Sequence, residues 1–191
     1  MMKQTLIIFF LILISCKNEE KTQNDEQTEA NKTSEIVIDQ SVTTMWNSYI
    51  AQNPEFKNTE LPEFDFFHNN KEDAKRLAEL TANKKKQASS GLLSLYKQYN
   101  LDLPKVGSKQ IITDFDGKAY AIIENKSIDT IPFNQISKEY AQLDMGTDSE
   151  PLKKWKKAHW DFFKNFLAEI EKEPTEDMKI VCVRFETVWP K

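Results

Sequence analysis

Three consecutive lysines, Lys84, Lys85 and Lys86, stand three to five residues ahead of Ser89 in a chain that is otherwise acidic and holds only four glycines. A lysine acts as base or nucleophile when burial or neighbouring positive charge favours its neutral form. Lys84 and Lys85 are such neighbours for Lys86, and the Ser89 hydroxyl is a group from which a neutral amine takes a proton. The same lysines suit two other roles. One is a solvated helix end whose charges complement the negative pole of the helix dipole, and the other is a phosphate-binding patch.

Other chemistries have less material. Two histidines, His68 and His159, and a single thiol once Cys16 is modified are too few for a zinc site with the usual ligands, so no metal is expected. Gly91, Gly107, Gly117 and Gly146 have none of the spacings of a P-loop or a dinucleotide fingerprint, and no cofactor is expected. His159 falls on an apolar helical stripe, where a half-buried histidine bonded to a backbone carbonyl is the plain expectation. Trp46 either packs in the core or stacks on a base near a barrel mouth. Lys153, Lys154, Lys156 and Lys157 form a second basic cluster, which serves as a phosphate track only if it adjoins Lys86 in space.

The chain that must position these residues begins with Lys3 and an unbroken apolar run, Leu6 to Ile14, about half the length that spans a bilayer. Residues 1–15 read as a signal peptide. The run ends in Leu13-Ile14-Ser15-Cys16, which resembles a bacterial lipobox and implies lipidation of Cys16, hence a lipid-anchored protein of the cell envelope, with the outer membrane as the expected site. Residues 16–40 lack aromatics, proline and glycine and cannot bury enough apolar surface to order themselves, so they read as a flexible tether. Removing Lys3 with the leader takes 26 basic residues to 25 against 30 acidic ones, a net charge near −5 that gives no whole-molecule attraction to nucleic acid.

Residues 41–191 are long enough for one domain with a core. Thr44 to Ala51 should form a short helix that buries Trp46 with Tyr49 or Ile50. A second helix begins near Asn70 as cap, carries Ala74, Leu77 and Ala78 on its apolar stripe and fades by Asn83. Gly91 to Tyr99 is a third helix or an irregular lid. Gln110 to Phe115 and Lys118 to Glu124 are strands joined by Asp116-Gly117, a dipeptide favoured in tight hairpins. A shorter strand follows at Ser127 to Ile131. Pro151 opens the longest helix, with Leu152, Trp155, His159, Phe162, Phe163, Phe166 and Ile170 at three- and four-residue steps. Lys179 to Trp189 closes the chain as a strand with Val181, Val183, Phe185 and Trp189 on one face. The class is α+β.

In this order the pieces resemble the ASCH domain, a small β-barrel of the PUA-like superfamily with flanking helices. Lys84-Lys85-Lys86-Gln87-Ala88-Ser89 is similar to the family's Gly-x-Lys-x-x-Thr/Ser segment, with lysine in place of glycine. Leu103-Pro104-Lys105-Val106-Gly107 resembles its entry to a strand, Ile131-Pro132-Phe133 its "pF" step, and Tyr140-Ala141-Gln142-Leu143-Asp144 its Phe-Ala-x-x-Glu segment. Trp155, His159, Phe162 and Phe163 match a W-x-x-x-H-x-x-F-F helix, and Met178 to Phe185 matches the last strand.

The resemblance implies binding of a nucleoside, nucleotide or RNA fragment, and hydrolysis of RNA or of an acylated nucleoside. It assigns Lys86, Ser89 and Asp144 as the catalytic group, with serine keeping the family's hydroxyl and aspartate keeping the charge one methylene short. Trp46, Lys85 and Lys105 are the candidate ligand contacts. The alternative is a non-catalytic envelope module that binds a small molecule or serves as adaptor to a protein partner the sequence does not specify.

Overall fold

The computed structural model describes residues 38–190; the signal peptide, Cys16 and most of the tether lie outside this range. Helix α1, Gln40–Gln52, starts earlier than its apolar spacing predicts, because the Asp39 carboxylate accepts from Ser41 N at 2.8 Å and caps it. Strand β1, Glu63–Asp65, leads to α2, Lys71–Ala82, which is capped by Asn70 through a bond from Asp73 N, as its sequence predicts.

After five intervening residues α2 is followed by β2, Ala88–Leu92, and directly after it by α3, Leu93–Gln98. The sequence gives no sign of this strand. Its Ala-Ser-Ser-Gly-Leu run lacks β-branched residues and is strand only because it pairs antiparallel with the last strand. The Gly91 to Tyr99 stretch is thus strand end plus helix.

The hairpin is β3, Lys109–Thr113, and β4, Ala119–Pro132. Its turn is wider than a two-residue loop. Asp114 and Lys118 close it by a backbone bond of 2.9 Å, the Asp114 carboxylate accepts from Asp116 N and Lys118 N, and Gly117 takes φ +86°. The separate strand expected at residues 127–131 is the second half of β4, which continues through a register shift between Asn125 and Ser127. Helices α4, Lys138–Met145, and α5, Pro151–Ala168, precede β5, Lys179–Trp189.

The sheet order is β1-β3-β4-β5-β2, with β1 parallel to β3 and every other pairing antiparallel. With β1 and β2 as unpaired edges, the curled sheet is a half-barrel. Ile111 and Ile122 pack with Val42, Trp46 and Tyr49 of α1, whereas Ile112 and Ile123 pack with Ala78 of α2 and Phe185. Alternate residues of one hairpin therefore serve different helices. Ile180 and Cys182 join Trp155, Phe163 and Leu167 of α5 and Tyr140 and Ala141 of α4. Residues 180–183 are all buried, so β5 is covered on both faces and not, as its alternation suggests, on one.

Candidate functional site

The lysine run divides at the exit of α2. Lys84 N bonds to Thr81 O and Lys85 N to Leu80 O, and Lys84 itself has φ +58°; this is a helix stop of the kind that normally uses glycine. Lys84 and Lys85 are exposed, while Lys86 is only 4% exposed. The first two lysines thus end the helix in solvent and the third turns inward.

Two backbone features bring α4 against this turn. Gln87 N donates to Leu143 O at 2.8 Å. Gly146, which ends α4 at φ +61°, lies so close to Lys85 that a Cβ there would sit 3.4 Å from the Lys85 carbonyl. The result joins residues 58 positions apart. Lys86 Nζ donates to Asp144 Oδ1, to Asp144 O at 2.8 Å and to Ala88 O at 2.7 Å. All three ammonium hydrogens have acceptors, and Phe67 places its ring 4.7 Å from Nζ.

Asp144, 2% exposed, is as thoroughly engaged. Its Oδ2 accepts from Ser90 Oγ at 2.5 Å and from the Trp155 indole at 2.9 Å, and His159 Nε2 lies 3.4 Å away. Burial by itself would push this carboxyl up, but the facing Lys86 charge and the bonds from Lys86 and Ser90 outweigh it and hold Asp144 below the ordinary aspartate value. Tyr140 OH donates to Ser89 O at 2.6 Å and lies 3.1 Å from Ser90 Oγ; burial and then the Asp144 charge push this phenol upward. Burial holds His159 below the usual histidine value against the opposing pull of Asp144. Burial likewise pushes the Cys182 thiol up to about 11, leaving it unreactive.

Lys86 and Asp144 thus meet as the resemblance implies, but the charge facing Lys86 is a carboxylate and not the neighbouring lysines. The hydroxyl in contact with Asp144 belongs to Ser90. Ser89 contributes its backbone carbonyl, because side chains alternate along β2 and Ser90 shares its face with the buried Ala88 and Leu92.

Trp46 stacks on Tyr49 at 5.4 Å, 5% exposed within the α1 cluster, so it is a core residue and not a base platform. Lys105 lies in the exposed segment between α3 and β3, where its carbonyl accepts from Ser108 Oγ. Lys85 borders a groove of about 420 Å³ with Gln87, Gln142, Leu143 and Thr147, residues that bracket Lys86 and adjoin Asp144 in sequence. In the second basic cluster, Lys153 pairs with Glu150 and Lys157 with Asp161, all well exposed, as on a solvated face.

Sequence reasoning missed Ser90 and the contacts of Tyr140, Trp155 and His159 with the Asp144 neighbourhood. A signal existed: Tyr140 and Asp144, and Trp155 and His159, are both i,i+4 pairs, so each pair shares one helix face.

Residues 63–189 match the ASCH domain. The chain belongs to the ASCH domain family. A protein from Enterococcus faecalis V583 has a crystal structure similar to this one, with a TM-score of 0.70 and 30% identity over 78% of this chain and 88% of that one. An ASCH domain from Lactobacillus crispatus JV V101 superimposes with a TM-score of 0.73 and 28% identity, covering 80% of this chain and 97% of the other. No curated protein matches. An α+β ASCH domain of the PUA-like kind supports a general nucleic-acid-binding role. Among the described residues, no helix is long and apolar enough to cross a membrane.

Proposed function

We propose that this ASCH domain binds a nucleoside, nucleotide or RNA fragment beside the Lys86–Asp144 pair and hydrolyses an acylated nucleoside or RNA there. One observation carries the reading: a lysine and an aspartate from distant segments are buried together with a hydroxyl, an indole and an imidazole in one hydrogen-bonded cluster. Burying two charges costs several kcal/mol per ion, and a purely structural core is served as well by apolar residues. Groups of opposite charge held in a buried, hydrogen-bonded polar cluster are the usual equipment for proton transfer.

In this reading the groove lined by Lys85, Gln87, Gln142 and Thr147 receives the base or sugar. Ligand entry shifts one of the three bonds of Lys86, so that its ammonium meets the developing negative charge of the substrate. The full occupation of the three Lys86 hydrogens also favours a second reading, a binding module without turnover. The test is hydrolysis of acetylated cytidine and of a short RNA by wild type and Lys86→Met, alongside affinity for a panel of nucleosides. Turnover lost in Lys86→Met supports the enzyme; binding with no product in wild type supports the module; no binding of any nucleobase sinks both.

The reading extends to location. The leader and the lipobox-like segment ending at Cys16 support a lipid-anchored envelope protein, most simply on the outer membrane. Cys16→Ala should leave the membrane fraction and lose palmitate label, and equal retention of both forms would count against the anchor.

A further inference from the structure

His159 is the most exposed ionisable group of the cluster, with 14% of its side chain accessible against 4% and 2% for Lys86 and Asp144. Its ring nitrogens face two acceptors. Nδ1 lies 3.0 Å from the Trp155 carbonyl oxygen, which can only accept, so Nδ1 carries the hydrogen. In the neutral ring Nε2 is then a lone pair, and it faces Asp144 Oδ2 at 3.4 Å. The same oxygen accepts the Ser90 hydroxyl at 2.5 Å and the Trp155 indole N–H at 2.9 Å. The order is a hydroxyl proton, a carboxylate oxygen and an empty basic nitrogen. A proton arriving at Nε2 converts a lone pair facing an anion into a charge-assisted N–H···O contact.

We propose that Ser90, Asp144 and His159 form a proton relay with His159 Nε2 as its terminus. This rests on the hydrolytic reading above. As Ser90 Oγ bonds to the acyl carbon of an acylated nucleoside, its proton passes across Oδ2 to Nε2. As the carbon–nitrogen bond breaks, that proton goes to the departing amine. Water then attacks the seryl ester, losing a proton to Nε2; the ester carbon–oxygen bond breaks, and the proton returns to Ser90 Oγ. The products are a carboxylic acid and an amine, and the cluster is restored.

The charged groups around the ring divide in effect. Asp144 on α4 favours the imidazolium. Lys86, from the turn before β2, and His68, from the segment before α2 whose ring packs on Phe162 at 5.1 Å, oppose it. Burial keeps His159 neutral near pH 7 and therefore able to accept. The low Asp144 value means that the proton does not stay on the carboxylate.

With two histidines in the chain, long-range ¹H–¹⁵N spectra resolve His159 from His68. The expected wild-type result is the Nδ1–H tautomer at neutral pH, and Asp144→Asn should lower the His159 midpoint by at least one pH unit, a tenfold loss of proton affinity. An Nε2–H tautomer, or a midpoint unmoved by Asp144→Asn, overturns the relay; the tautomer needs no variant, so a poorly folded Asp144→Asn does not remove the test. With acetylated cytidine, kcat/KM should fall about tenfold per pH unit below the His159 midpoint. His159→Gln should lose that limb and at least tenfold in kcat with KM little changed. Ser90→Ala should abolish turnover that Ser89→Ala retains, and the reverse pattern overturns the proposal. A wild type that hydrolyses neither substrate sinks the hydrolytic reading and the acyl-transfer step with it, while tautomer and midpoint still decide where the proton resides.

Discussion

Two lysine–aspartate pairs of this protein have nearly the same contact chemistry and opposite settings. Lys71 and Asp116 join the start of α2 to the β3–β4 turn, with side chains 71% and 59% exposed; Lys86 and Asp144 join the exit of α2 to α4 at 4% and 2%. Water around the first pair screens its attraction and solvates either partner if the other is lost. Around the second there is no such substitute, and the protein supplies it with two carbonyl oxygens, a serine hydroxyl and an indole. The number of extra partners, more than the pair itself, sets the exit of α2 apart from its start.

The largest break in this comparison comes from stranding a buried charge. Asp144→Ala should cost about 3–5 kcal/mol in urea denaturation, because Lys86 keeps its charge without a counter-ion, while Lys86→Met/Asp144→Leu should recover most of that loss. A single variant no less stable than the double one would contradict the assignment.

Asp144 also sets a pH signature. Its folded value lies below the ordinary aspartate value of 3.8, so its contribution is complete above that value and is lost as pH falls through the lower folded one. His159 is also held below the ordinary histidine value of 6.5, so just under pH 6.5 the unfolded chain binds more protons at this residue, and stability declines as pH falls. Stability curves of wild type, Asp144→Asn and His159→Gln should separate these windows, with the Gln variant losing the slope just below pH 6.5 and the Asn variant losing the one below 3.8.

Ser90→Ala removes a donor to a buried carboxylate and should cost about 1.5–3 kcal/mol. Ser89→Ala should stay within about 0.5 kcal/mol. Equal effects would mean that the one-residue offset on β2 is wrong.

Lys84 offers a smaller change of opposite sign. A left-handed lysine is strained where glycine is not, so Lys84→Gly should stabilise by on the order of 1 kcal/mol without altering the site. Smallest of all, Lys71→Ala should leave the denaturation midpoint unchanged within error, as expected of an exposed pair in water. A loss comparable to that of Asp144→Ala would erase the distinction between the two ends of α2.

The reach of the sequence can be judged element by element. Asn70 as cap, Asn83 as stop, the hairpin and the bounds of β5 are local matters, carried by cap chemistry, glycine and alternation within a few residues. The convergence of Lys86 and Asp144 was legible through the ordered resemblance of the chain to a family. Trp46 shows the limit: an aromatic on a helical stripe has the same local pattern in a core as at a barrel mouth.

By itself, then, the sequence determined the helices and hairpin whose signals are local, and the pairing of a turn lysine with a helical aspartate that a motif records. Only the tertiary structure decided that β2 is a strand, since its pairing energy comes from β5, some ninety residues away. It also decided which of two adjacent serines meets the carboxylate, because strand alternation assigns faces only once the strand exists. The roles of Trp155 and His159 have the same origin. Apolar spacing places both residues on the buried side of α5 but carries no record of the charge that α4 puts opposite them.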